Sequence, residues 1–265
     1  TTAIAINTIS TVSSTDWDTP YVEINGLKWA TMNIGATTIT GTTGYGDYFA
    51  WGAAEKAYSD YSSDTFTFLS SRPGSYGTGE WDIEWGFWYK NTPYCTGTVD
   101  VETGVYSKYT GSDSKYVLEP MDDAAHCIWE STWRMPTGGD GGEFDALCEA
   151  TYWKWDDTDE GFYVYVPNPS TDAGKYDGNG TGAEYDKSDA LLFFPAANQG
   201  YCCYNYHSYY FPDDPVEGYY WASTLGANFL KPSEHANLLY FKKGAVVPNN
   251  GMSRYFGRSI RPVSD

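Results

Sequence analysis

Basic residues are scarce in this 265-residue chain, and long apolar runs are absent from it. It has 16 Lys and Arg against 35 Asp and Glu, which gives a formal net charge of −19. Because phosphate groups attract basic side chains and repel acidic ones, this balance excludes nucleic acid as the expected partner and argues against docking on an anionic membrane. No run of about 18 apolar residues occurs in the sequence, so we expect no membrane insertion.

Residues with reactive side chains are also few. The five cysteines form no Cys-x-x-Cys pair, which argues against a zinc ribbon, and their odd number leaves at least one thiol free or paired between chains. Among the three histidines, His207 follows Cys203 closely, but a position inside a tyrosine-rich loop explains both residues better than a nucleophile–base pair does. His126 is expected to be a packed, hydrogen-bonded histidine. We therefore predict no catalytic residue and a protein that is not an enzyme.

Aromatic residues are abundant instead. Phe, Trp and Tyr make up 18% of the chain, with 25 Tyr and 28 Gly. Such a surplus is typical of β-rich surfaces and binding loops, where Tyr supplies a rigid, amphipathic contact area. It also excludes a disordered chain.

The pattern along the chain favours one α+β domain over 21–265, after a linker or the tail of an upstream region at 1–20. Asn25-Gly26 predicts a hairpin between two short strands. Two acidic residues open a helix at 122–131, and a capping-box spacing opens a second helix at 142–151. Short β-type runs follow.

Seven stretches of the chain carry a family resemblance, and they occur in the family's order. They are LKWATMNIGA at 27–36, YGDYFAWG at 45–52, LEPMDDAAH at 118–126, WRMPT at 133–137, FPAA at 194–197, YWAST at 220–224 and GRSIRPV at 257–263. The chain resembles the Fibrobacter succinogenes major paralogous domain, a family of secreted and surface proteins of gut bacteria.

This resemblance implies a C-type-lectin-like fold, akin to the formylglycine-generating enzyme scaffold. Two helices would flank a small, mostly antiparallel sheet with long irregular loops. The strand at 21–29 would lie beside the strand at 259–263, so that the termini are adjacent. The resemblance also implies an extracellular or cell-surface location, through a lipid anchor on a preceding N-terminal region or through display on a phage.

The tyrosine-rich loops of the C-terminal third are the predicted ligand-binding surface. They lack the alternation of a buried strand, follow turn signals and are expected to be exposed together on one face. The predicted ligand-binding residues are Tyr201, Tyr204, Asn205, Tyr206, His207, Tyr209, Tyr210, Asn228, Phe229, His235, Asn249, Asn250, Ser253 and Tyr255.

Two further features of this region bear on its function. Residues 201–210 contain only residue types that a diversity-generating retroelement can produce from Asn-type codons, which suggests a hypervariable surface. No cofactor is predicted, although calcium is an alternative at Asp213, Asp214 and Glu217 because dense carboxylates repel one another unless they are hydrated or bind a metal.

These observations predict a secreted or surface-displayed protein that binds a protein or glycan ligand on another cell or a phage host. A carbohydrate-binding module or adhesin is the first alternative, because exposed aromatic rings stack on sugars. An enzyme of the formylglycine-generating type is the second.

Overall fold

The protein was analysed as a computed structural model, which describes residues 21–53, 94–96, 105–129, 132–167, 185–197, 216–226, 234–254 and 257–265. Its strands are β1 (Tyr21–Ile24), β2 (Leu27–Ala30), β3 (Cys95–Thr96), β4 (Val105–Tyr106), β5 (Trp133–Arg134), β6 (Tyr152–Asp156), β7 (Gly161–Tyr165), β8 (Leu192–Pro195), β9 (Glu217–Leu225), β10 (His235–Lys242), β11 (Ala245–Ser253) and β12 (Val263–Ser264). Its α-helices are α1 (Ala124–Trp129) and α2 (Glu143–Ala150), and 3-10 turns occupy Thr42–Gly44, Pro120–Asp122 and Lys187–Asp189. In these ranges, no helix is long and apolar enough to cross a membrane.

The first sheet joins the two ends of the described chain. Its strand order is β1-β2-β12-β5, and all its pairs are antiparallel. Asn25 and Gly26 have φ values of 55° and 82°, the conformation that the short turn between β1 and β2 requires. In β12, Val263 pairs with Trp29. The predicted hairpin and the predicted pairing of the first and last strands are therefore confirmed.

A second sheet, of order β11-β10-β9, lies between two hydrophobic cores. On one face, Tyr220 and Phe241 belong to the core that also contains Trp29, Trp153 and Phe162. On the other face, Trp221 and Leu238 pack with Phe49, Trp51 and Tyr109. Because neighbouring residues of a strand point to opposite faces, a continuous apolar run suits this doubly covered sheet. A third sheet, of order β6-β7-β8, packs aromatic residues into the first core.

The predicted fold class is wrong. Both helices lie where they were predicted, but they are only six and eight residues long. The rest of the described chain is mostly β: three antiparallel sheets of three or four strands and a two-stranded ribbon of β3 and β4. This does not fit a C-type-lectin-like α+β fold with two helices flanking one small sheet. The physical reason lies in the C-terminal half, where β9, β10 and β11 extend over nine, eight and nine residues.

Candidate functional site

Most of the predicted ligand-binding residues lie outside the described part of the chain. These residues are Tyr201, Tyr204, Asn205, Tyr206, His207, Tyr209, Tyr210, Asn228, Phe229 and Tyr255. The calcium candidates Asp213 and Asp214 lie outside it as well. The described strands next to these segments in the chain are β9, β10 and β11.

The remaining four predicted residues lie in strands rather than in loops. Ser253 of β11 pairs with His235 of β10, and Asn250 pairs with Leu238. Positions 235 and 238 are an odd number of residues apart, so these two pairs lie on opposite faces of the hairpin. All four residues, including Asn249, are only half-exposed. The prediction that they share one well-exposed surface is therefore wrong for this subset.

A pair of tyrosines linked by one carboxylate stands on the face of the β9–β10 ribbon that carries Trp221. Tyr219 and Tyr240 are directly opposite each other, and Glu217 lies two residues before Tyr219 on the same face. The Tyr240 hydroxyl donates to Glu217 Oε1 at 2.7 Å, and the Tyr219 hydroxyl donates to Glu217 Oε2. The two ring centroids are 5.0 Å apart, with an angle of 40° between the rings. One carboxylate thus fixes two phenol groups.

This arrangement keeps both phenols protonated. Burial raises the pKa of Tyr219 above its usual range, and the hydrogen bond to Glu217 raises it further. The same two causes, in the same order, raise the pKa of Tyr240. The phenols therefore donate to Glu217 throughout the physiological pH range.

The tyrosine pair rests on buried groups that hold it in place. The Arg258 guanidinium lies 4.2 Å from the centroid of the Tyr219 ring and is almost completely buried. Trp221 lies two residues after Tyr219 on the same face of β9 and is fully buried. Its indole Nε1 donates to the carbonyl of Phe49 at 2.8 Å. The rings therefore stand on a rigid base rather than on a loop.

Solvent reaches this end of the sheet face. Tyr219 and Tyr240 are half-buried, and Val247, which pairs with Tyr240 from β11, is 38% exposed. We name the surface formed by Glu217, Tyr219, Tyr240 and Val247 the tyrosine face. Both tyrosines were missed from the sequence because they lie in short β-type runs, whereas the ligand-binding surface was predicted in the tyrosine-rich loops. The spacing of Glu217, Tyr219 and Trp221 at every second position places them on one face, but it does not show which face of the strand solvent reaches.

The tyrosine face offers contact area and hydrogen bonds rather than reactive groups. Both Glu217 oxygens accept hydrogen bonds from the phenol groups. The described residues contain no group of three or more His, Cys, Asp or Glu that could hold a metal ion. The calcium alternative at Asp213, Asp214 and Glu217 stays a prediction, because two of its three members are not described.

The thiols that the structure describes are poorly suited to nucleophilic chemistry. Cys148 is fully buried, and burial raises the pKa of its thiol well above the usual value. Cys127 is exposed, but partial burial and then the nearby Asp123 and Asp122 carboxylates raise its pKa too. A nucleophilic cysteine needs the opposite shift, toward the thiolate.

His126, the other histidine that the structure describes, lies in α1 and is half-exposed instead of packed in the core. It lines a cleft beside β5 that shares no residue with the tyrosine face.

Comparison with known proteins adds nothing to these observations: no protein-family model, curated protein or solved structure matches the chain.

Proposed function

We propose that this chain is a non-catalytic binding protein that recognises a polypeptide partner through the tyrosine face. The observation that carries this proposal is the tyrosine pair fixed by Glu217 at the solvent end of an otherwise buried sheet face. Tyrosines that are immobilised before binding lose little side-chain entropy on contact, which is why Tyr is frequent among the residues that dominate binding interfaces.

The composition of the tyrosine face supports a protein partner. Its rings supply apolar contact, Val247 extends the apolar area, and the phenol oxygens can still accept hydrogen bonds from a partner's backbone N–H groups. The net charge of −19 would attract a partner with basic side chains toward the protein as a whole. The surface location predicted from the sequence is consistent with this use, and remains part of the proposal.

Carbohydrate binding is the competing function, but the ring geometry favours it less. Sugar rings stack on an open, flat aromatic face. The Arg258 guanidinium covers one face of the Tyr219 ring, and the two tyrosine rings meet at 40°. The pair therefore offers edges and tilted faces rather than one flat platform.

A parallel screen separates the two functions. The whole chain is tested against a displayed peptide and protein library and against a glycan array, and each binder is re-tested with Tyr240→Ala. Binders from the protein library that lose about 30-fold in affinity with this variant, the effect expected for a dominant interface residue, support the proposal. Binding confined to glycans, or unaffected by Tyr240→Ala, contradicts it.

Tyr116→Ala is the matched control variant. Tyr116 is 49% exposed, and its hydroxyl donates to the carbonyl of Gly111 at 2.7 Å, so it too is a surface tyrosine with a single hydrogen bond. Its side chain is not part of the tyrosine face, although its backbone carbonyl accepts the N–H of Leu225 in β9 at 2.7 Å. Its removal should leave the binding affinity unchanged, and thermal unfolding of both variants confirms that each is folded.

A further inference from the structure

A cleft of about 490 Å³ lies on a part of the molecule that the proposed function does not use. It opens between the segment before α1, the helix α1 itself, β5 and the last residues of the chain. Its volume is in the range of small-molecule sites, which are typically about 300–1,000 Å³. The lining residues are Val117, Leu118, Pro120, Asp123, His126, Thr132, Trp133, Arg134, Met135, Thr137, Ser223, Ser264 and Asp265.

One wall of this cleft is apolar and rigid. Trp133 is held by an edge-to-face contact with Trp129, whose ring centroid is 5.7 Å away. Val117 projects into solvent with 48% of its surface exposed, while the neighbouring Leu118 is anchored by its backbone N–H, which donates to the Ser223 carbonyl at 2.9 Å. An apolar body such as an aromatic ring fits against this wall without displacing any polar contact.

The polar wall carries excess negative charge. Arg134 donates to both oxygens of Glu143, at 2.8 and 2.6 Å, and its Nη2 also donates to Asp265 Oδ1 at 2.8 Å. Its single positive charge is thus shared between two carboxylates. Asp123 adds a third carboxylate, which is buried and accepts backbone N–H groups. The Lys28 ammonium also donates to the Asp265 carbonyl at 3.2 Å, so three carboxylates face two basic groups, and one negative charge is uncompensated.

Two groups on this wall remain available to a ligand. The Asp265 side chain is 84% exposed, and Arg134 holds only its Oδ1 atom. The His126 imidazole forms no side-chain hydrogen bond within the described chain, and a neutral imidazole has one nitrogen that can accept a proton donor. Both are acceptors, so a cationic donor suits them and an anion does not.

We propose that this cleft binds a small organic cation, namely a primary amine attached to an apolar body about the size of an aromatic ring. The ammonium group donates to Asp265 and His126, and the apolar body packs against Trp133 and Val117. The protein's net charge of −19 favours the approach of such a cation. The cleft shares no lining residue with the tyrosine face.

The test is an NMR titration of the whole chain with phenethylamine, monitored at the imidazole nitrogens of His126, whose signals are assigned with His126→Gln. The neutral analogue 2-phenylethanol is titrated in parallel. We expect the amine to shift the His126 signals in a saturable manner, and 2-phenylethanol to bind several-fold more weakly. Absence of a saturable shift, or equal affinity for the two compounds, overturns the proposal.

Asp265→Asn tests the charge, and Asp157→Asn is its control. Asp157 is similarly exposed, at 70%, and also pairs with a basic side chain, that of Lys243, but it does not line the cleft. We expect Asp265→Asn to weaken phenethylamine binding by up to about fivefold, the upper end for an exposed charge pair, and Asp157→Asn to leave it unchanged. An equal effect of both variants would mean that only the overall charge of the protein matters, and would overturn the assignment to this cleft.

Discussion

Replacement of the Asp123 carboxylate should destabilise the protein far more than replacement of a comparable exposed carboxylate. Asp123 is only 4% exposed and precedes α1. Its Oδ1 accepts the backbone N–H groups of Ala125 and His126, at 2.9 and 3.2 Å, and so caps the helix. Its Oδ2 accepts the N–H of Met135 at 2.8 Å, which joins α1 to the segment after β5.

The magnitude follows from these contacts. Loss of the cap in Asp123→Ala costs about 1 kcal/mol, and the buried Met135 N–H, left without an acceptor, costs a further 1–3 kcal/mol or so. Burial raises the pKa of Asp123, so removal of the buried charge offsets part of this loss. We expect a net loss of about 2–3 kcal/mol in the free energy of unfolding. For a chain of this size, this corresponds to a decrease in melting temperature of about 5–10 °C.

Asp113→Ala is the control, measured in the same urea and thermal unfolding experiments. Asp113 also accepts three backbone N–H groups, those of Tyr109, Thr110 and Lys115, but it is half-exposed. Water can replace its carboxylate, so the expected loss is at most about 1 kcal/mol. Equal losses for the two variants would refute the reasoning, because burial would then not determine the cost of an unsatisfied N–H group.

Three further predictions concern the core and the tyrosine face. Burial and then the hydrogen bond to Glu217 raise the pKa of Tyr219, so the stability gained from its neutral phenol is complete below pH ~10 and is lost as the pH rises above that value. In urea unfolding, the free energy of unfolding should therefore fall less steeply with alkaline pH in Tyr219→Phe than in the wild type. Identical dependence on pH in the two proteins would contradict this. Gly218→Ala should cost about 1–3 kcal/mol in the free energy of unfolding, because the added methyl would lie 2.1 Å from Cζ of the buried Phe241 ring; a neutral effect in urea unfolding would mean that this ring can move. Cys148 should react with a maleimide, as mapped by mass spectrometry, only after unfolding, and labelling in the native state would show that its burial is incomplete.

Local signals in the sequence predicted local structure well. Asn25-Gly26 specifies its turn because both residues adopt positive φ, and few residue pairs do so readily. The capped start of α1 was also predictable, since Asp123 lies close in the chain to the N–H groups that it accepts, whereas the N-cap of α2 is Gly142, which forms no side-chain cap, so the predicted capping box is wrong. The predicted end of the second helix, at 151, lies one residue beyond Ala150, where α2 ends.

The tyrosine face could not be predicted because it depends on register. Tyr219 and Tyr220 are adjacent and identical, yet they point to opposite faces of β9. Tyr219 meets Glu217 at the surface, whereas Tyr220 is fully buried and its hydroxyl donates to the carbonyl of Pro195 at 2.7 Å. Both faces of β9 are apolar along most of its length, so hydrophobic alternation does not indicate which of the two tyrosines is accessible.

The fold class was wrong for a related reason. The resemblance drew on seven short stretches, and parts of these do lie in paired strands, such as Leu27–Ala30 in β2 and Val263 in β12. Strand pairing between distant parts of the chain, however, determines how many sheets form and how large they are. Apart from the two-residue connection at Lys243 and Gly244, the long antiparallel pairing of β9, β10 and β11 has no local sequence signature other than its apolar runs.

The proposal that the tyrosine face contacts a partner is tested most directly by site-specific photo-crosslinking. Val247 on this face and Val166 just after β7 are 38% and 40% exposed, so each can be replaced by benzoylphenylalanine with little effect on folding. With a protein binder selected from the library screen, irradiation should crosslink the binder at position 247 and not at position 166. Crosslinking at position 166 alone, or equally at both positions, would contradict binding through the tyrosine face.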